Sequence, residues 1–350
     1  MCLSGIVPVS MVMVVGSNGT LLYDVSDALH PRAVCRITNT YARILTGTSF
    51  EYLVPHADGT TDVVLHALGS NNESVESRLQ ADLSSTSMGI FFANAAWAPG
   101  RGVMAYLAPG GTDANGSGIV DVWVATSRVR TKISSYSVPG IDGFGRPGPP
   151  PPTLAMSPDG AYLAAGWSIA PTSIHVFRLS DSLDVTPTMP AGLRFGFWSR
   201  TGHTLYLVGS AGVEEWTSEA GVAAVAGTGP WTLGPNFSPD GTQVVFTGFG
   251  SAGVIRVSLY DLKTRSSRQL IDQPRSSPIF VRAGWVWYFE EKTCVVSADN
   301  PCFDRTTPDG NILAADIATG QESQLSFAPG ESPTAAGTFF MTPVDVWPLA

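Results

Sequence analysis

Lysine is nearly missing from this chain. Only Lys132, Lys263 and Lys292 occur in 350 residues, and charged residues of every kind make up 14%. The net charge is −9 and the isoelectric point about 5.0. No basic cluster offers a face for phosphates, which argues against nucleic acid as a partner. Long apolar runs are lacking too. The opening "MCLSGIVPVSMVMVV" has no positive flank, is interrupted by Pro8 and is too short to span a bilayer. It reads as a strand leading into the turn "GSNG" and the strand "TLLYDV". No transmembrane segment is expected, and any export signal is expected outside this chain.

Metal-ligand spacing is absent as well. The five histidines, His30, His56, His66, His175 and His203, are unpaired along the chain, and CxxC does not occur. They read as ordinary surface or packed histidines, and no metal or cofactor is expected. "HADGTTD" (56–62) and "ADNPCFD" (298–304) gather carboxylates without matching a calcium loop, so solvated turn carboxylates are the expectation. Cysteine is limited to Cys2, Cys35, Cys294 and Cys302. Cys294 and Cys302 bracket a short loop, and a disulfide between them is expected, with two free thiols the alternative. Such a bond points to an oxidising compartment. A serine hydrolase would need G-x-S-x-G; "GWSIA" (166–170) ends in Ala170, and Ser168 reads as structural. The sequons at Asn18, Asn72 and Asn115 read as turn residues.

What is abundant is glycine, 37 residues, and proline, 26, beside 44% hydrophobic content. That is the composition of a turn-rich β protein. The length suits two domains or one large all-β domain. "AMSPDGAYLAAGWS" (155–168) returns as "NFSPDGTQVVFTGFG" (236–250) and as "FWSRTGHTLYLVG" (197–209). Weaker copies are "AAWAPGRGVMAYLA", "VRAGWVWYFEE" and "ILTGTSFEYLVP". A period near forty residues signals an array of β units. In each unit a strand enters the turn and a second leaves it. A third strand follows, such as "IHVFRLSD" or "VSLYDLKT", and then a more polar fourth, such as "SSRQLID". Four strands per repeat is the blade of a β-propeller.

"MSPDGAYLAAG" and "FSPDGTQVVFTG" resemble the WD40-like (PD40-type) repeat of the TolB-like propeller family. That resemblance implies the fold and says little about function. One all-β domain over residues 1–350 is expected, a propeller of seven blades, with six the alternative. The amino-terminal strands lack a partner, and "GTFFMTPVDVWPLA" at the other end could supply it. "NESVESRLQADLSS" (72–85) fits either a short helix or a blade's outer strand, and the array favours the strand.

Three insertions, 108–118, 138–153 and 290–310, should rise on one face, the first of them small and flexible. Loops decorating a rigid scaffold are where binding lives. Trp231, Trp167, Phe195 and Phe249 are the candidate ligand-binding aromatics there, with Arg146 and Arg282 to hold an acidic group. The aromatics could equally pack between blades. The expected protein is a monomeric, extracytoplasmic binding module, periplasmic or secreted, for a protein, peptide or small ligand, without catalysis. The rival is a lactonase-like hydrolase or lyase with an axial metal or carboxylate site.

Overall fold

The computed structural model describes the chain except residues 1, 17–18, 39–41, 71, 84–94, 139–152, 167–173, 187–193, 201–202, 210–211, 229–230, 250–254, 291–310, 329–330, 333–341 and 348–350. Among the described residues the regular structure is all β, in seven four-stranded antiparallel sheets. The first sheet holds β1 (Met11–Gly16), β2 (Gly19–Asp24) and β3 (Arg32–Thr38). The second holds β4 (Ala42–Thr46), β5 (Ser49–Pro55), β6 (Thr61–Ala67) and β7 (Asn72–Leu79). The third holds β8 (Ala95–Trp97), β9 (Val103–Thr112), β10 (Gly118–Thr126) and β11 (Arg130–Val138). The fourth holds β12 (Thr153–Met156), β13 (Tyr162–Gly166), β14 (His175–Arg178) and β15 (Leu183–Asp184). The fifth holds β16 (Arg194–Trp198), β17 (Leu205–Gly209), β18 (Gly212–Thr217) and β19 (Gly221–Ala224). The sixth holds β20 (Trp231–Phe237), β21 (Gln243–Phe249), β22 (Ile255–Asp261) and β23 (Ser266–Gln269). The seventh holds β24 (Arg275–Arg282), β25 (Trp285–Glu290), β26 (Ile312–Asp316) and β27 (Glu322–Gln324). The last strand, β28 (Thr342–Trp347), returns to the first sheet and pairs with β1, with Val12 opposite Val346. Segment 72–79 is thus a strand rather than a helix.

The strands after the turns are continuously apolar because both their faces are covered. In β13, Leu163 and Ala165 pack toward the third sheet beside Leu107 and Val122. Tyr162 and Ala164 point the other way, toward Trp198, Leu205 and Trp216 of the fifth. Strand alternation thus feeds two apolar clusters at once. Among the described residues seven such clusters occur, each joining a sheet to the next. One of them joins the seventh sheet to the first, through Val12, Tyr23, Ile279, Trp287 and Ile312.

The recurrent turn has a local cause. Ser157 N–H donates to Tyr162 O at 2.9 Å, and Gly160 N–H to Ser157 O at 2.9 Å, with Gly160 at φ +73°. The Ser157 hydroxyl, fully buried, accepts from Tyr162 N–H at 2.9 Å and donates to Asp159 at 2.7 Å. Asp159 also accepts from Ala161 N–H at 3.1 Å. Ser238, Asp240 and Gly241 repeat the pattern, with φ +70° at Gly241. Serine and aspartate therefore satisfy the turn's own backbone, leaving few donors for anything else. Among the described residues no helix is long and apolar enough to cross a membrane.

Candidate functional site

Strand direction gives the molecule two unlike ends. In the second to seventh sheets the first strand runs into a short turn, and in all seven the third and fourth strands are joined at that same end; in the first sheet, ordered β28-β1-β2-β3, the first strand is the last of the chain. Connections between second and third strands, and those from sheet to sheet, fall at the opposite end. There the sequence between strands is long: 139–152 precedes β12, 167–174 precedes β14, and 291–311 precedes β26.

The third sheet carries a described part of this end that projects. β9 and β10 stay paired out to Thr112 opposite Gly118, beyond the buried part of the sheet. Residues 109–112 and 114–116 are exposed. Asp113 builds the tip, accepting from Asn115 N–H and Ser117 N–H, both at 2.9 Å, and from the Ser137 hydroxyl at 2.8 Å. Those donors, the Ser137 hydroxyl first, hold its carboxyl below the usual range. Segment 108–118 was expected to be a flexible loop. It is a projecting, self-capped hairpin, because one carboxylate ties both sides of the tip.

The sequence candidates divide. Trp231 opens β20 and stands opposite Gly248 in register, next to Phe249, the last residue of β21. Phe195 is the second residue of β16. These three positions share the long-connection end, placed by their backbone. Trp167, Arg146, Cys294 and Cys302 lie outside the described residues. Arg282 closes β24 beside the turn at Gly284, so it stands at the short-turn end. Its guanidinium donates to Ser26 O of the first sheet, which makes it a tie across a seam.

Most charged groups inside the molecule are similarly engaged. Asp62 is gripped by Arg78 at 2.6 and 3.0 Å and by His56 at 2.8 Å. The Arg78 hydrogen bonds dominate in lowering its carboxyl to about 2. Asp58 accepts from Thr60 N–H at 3.1 Å and from its hydroxyl at 2.6 Å, an ordinary turn carboxylate. His203 pairs with Asp159 of the preceding sheet, and His175 with Asp184 at 2.9 Å.

Glu51 is the exception in its titration. It is 1% exposed, between the second and third sheets. It accepts from Trp97 Nε1–H at 3.3 Å and from Gly100 N–H at 2.7 Å. Burial, then a hydrogen bond with Glu76, pushes its carboxyl up to about 7, against the opposing pull of the Gly100 amide. Perturbed carboxylates often mark active sites. Here the oxygens face donors of the next sheet, Trp97 at the end of β8 and Gly100 in the turn after it, so the group serves as an interlayer tie.

Sequence reasoning also missed a cluster at the seam of the first two sheets. Cys2 and Cys35 form a disulfide there. The amino-terminal segment runs along β3, with Leu3 N–H on Val34 O at 2.9 Å, and then reaches Gly69 O from Gly5 N–H at 2.8 Å. His66 lies against this disulfide. Sequence separations of about thirty residues hide such a trio from spacing rules.

By sequence, no family model and no curated protein matches this chain. Structural likeness is broad. A 6-phosphogluconolactonase-like protein from Bacteroides uniformis is 12% identical with a TM-score of 0.51, covering 97% of this chain and 99% of that one. The architecture is that of a β-propeller. A prolyl endopeptidase is 13% identical with a TM-score of 0.51, covering 88% of this chain and 46% of its own. TolB from Acinetobacter baumannii is 16% identical with a TM-score of 0.41, covering 74% of this chain. The chain spans 62% of that TolB and 46% of the prolyl endopeptidase. At these identities the likeness speaks for the fold alone.

Proposed function

We propose that this chain is a seven-bladed propeller, closed by both chain ends, that acts as a non-catalytic binding module. Its partner is a protein or peptide, or a small ligand, taken at the long-connection end. The module works as a monomer outside the cytoplasm, and the Cys2–Cys35 disulfide agrees with that compartment. Closure is supported by β28 pairing with β1 and by the apolar cluster between the seventh and first sheets. One observation carries the binding reading: the unequal ends. Short turns use up their own polar groups, whereas the opposite end carries every connection longer than seven residues and a hairpin exposed at 109–112 and 114–116. Trp231, Phe195 and Phe249 stand at strand ends there, with Trp167 and Arg146 in adjoining segments. Arg282 has no part in it.

The test is selection from a displayed random-peptide library on the immobilised protein, followed by Trp231→Ala and Asp113→Ala. Binding should weaken at least tenfold in Trp231→Ala while the melting temperature holds within a few degrees. Unchanged affinity in both variants would overturn the assignment. The likeness to the 6-phosphogluconolactonase-like protein keeps one rival concrete. Turnover of a lactone panel, dependent on added Mg²⁺, Ca²⁺ or Zn²⁺, would replace binding by catalysis.

A further inference from the structure

The Cys2–Cys35–His66 trio has no part in that reading. His66 lies on β6, Cys35 on β3, and Cys2 in the segment that runs beside β3. The two sulfurs and a ring nitrogen of His66 lie within 4.8 Å of one another. His66 is 6% exposed and its Nε2 has no hydrogen-bond partner. Such an orphan is costly beside an apolar cluster, here the one that holds Phe50, Cys35 and Leu68, with Cys2 packed against it. The other nitrogen is already directed: Nδ1 pairs with Glu73 Oε1 at 3.1 Å. Phe50 stacks on the ring at 4.7 Å between centroids. A carboxylate on one imidazole nitrogen, the other nitrogen without a partner, and two sulfurs within reach of the ring make the outer-shell arrangement that serves metal-bound histidines.

We infer that reduction of the Cys2–Cys35 bond creates a zinc site made of both thiolates and His66 Nε2, with Glu73 orienting the ring. The chemistry balances. A thiol or phosphine reductant supplies two electrons, the S–S bond breaks, and two protons complete the thiols. Zn²⁺ then displaces those protons, forming two Zn–S bonds and one Zn–N bond and leaving one position for water. Two thiolates cancel the ion's charge, which suits a site so poor in solvent. Cys2, partly exposed, is the sulfur a reductant reaches. The same residues thus hold a disulfide in oxidising surroundings and a thiophilic cation in reducing ones.

The experiment uses the full chain carrying Cys294→Ser and Cys302→Ser, which removes the other thiols. It is reduced with a phosphine under argon and titrated with Co²⁺, then Zn²⁺. One equivalent of Co²⁺ should produce a thiolate charge-transfer band, and Zn²⁺ should displace it stoichiometrically. The oxidised protein should show neither. His66→Gln should weaken Zn²⁺ binding at least tenfold, and Glu73→Gln by about tenfold. The near-ultraviolet circular dichroism of the oxidised variants reports their folding independently. If reduction alone unfolds the protein, recovery of that spectrum on adding Zn²⁺ supports the site. No thiolate band, no recovery, or unchanged affinity in His66→Gln overturns it.

Discussion

Ser157 and Ser238 look like incidental members of an SPDG turn, yet each hydroxyl both accepts a backbone N–H and donates to the turn aspartate. Removing one leaves a buried amide without its partner. Ser238→Ala should therefore cost about 1–2 kcal/mol, read from urea unfolding. A loss near zero would mean that proline and glycine hold the turn alone. Glu51 offers a test in pH. Its folded-state value is about 7 against an ordinary 4.5, so the folded chain keeps a proton that the unfolded chain releases. This contribution to stability is complete below about pH 4.5 and is lost as pH rises through 7, to a total of up to about 3 kcal/mol. Glu51→Gln should flatten that part of the stability curve and gain on the natural chain at about pH 8. Parallel curves for the two proteins would refute the assigned proton.

Strands carry the next set of consequences. Without β28, β1 becomes an exposed edge of paired apolar residues, which folded proteins avoid. Deleting residues 342–350 should lower the melting temperature by 10 °C or more, or send the protein into aggregates visible by light scattering. A truncated chain that melts like the full one would show that β28 is dispensable. The amino-terminal segment is held differently, by a disulfide with a sequence separation of 33. The chain-entropy estimate for closing a loop of this length is about 3–4 kcal/mol. Cys2→Ser with Cys35→Ser should destabilise the oxidised protein by up to that amount in a denaturant titration, and a gain in stability would contradict it.

At the scale of the whole molecule, no sheet owns its core. Each apolar cluster belongs to two sheets, so damage at one seam should be felt everywhere. Trp287 is fully buried where the seventh sheet meets the first, and its Nε1–H donates to Ala28 O at 3.0 Å. Trp287→Ala should cost about 3–5 kcal/mol. Calorimetry should still show one transition, shifted down as a unit. Two separated transitions would mean that the array melts piecewise.

The sequence determined the β class, the forty-residue repeat, the four strands per unit and the position of the turns. Those are local properties: alternation, glycine at positive φ and proline at a turn corner are all written in adjacent residues. It also pointed to the carboxyl-terminal strand, since an orphaned set of strands at one end implies a partner elsewhere. Where side chains meet across a seam was not legible. Spacing rules dismissed His66, and the cysteine pair nearest in sequence drew attention away from Cys2 and Cys35. Arg282 read as a holder of an acidic ligand group, yet its guanidinium donates to Ser26 O, just past β2. The 108–118 segment read as slack, yet one carboxylate stiffens it. Each of these depends on which residues stand opposite across a seam or along a hairpin. That pairing follows from the stacking and register of the sheets, which bring together side chains that no local pattern connects.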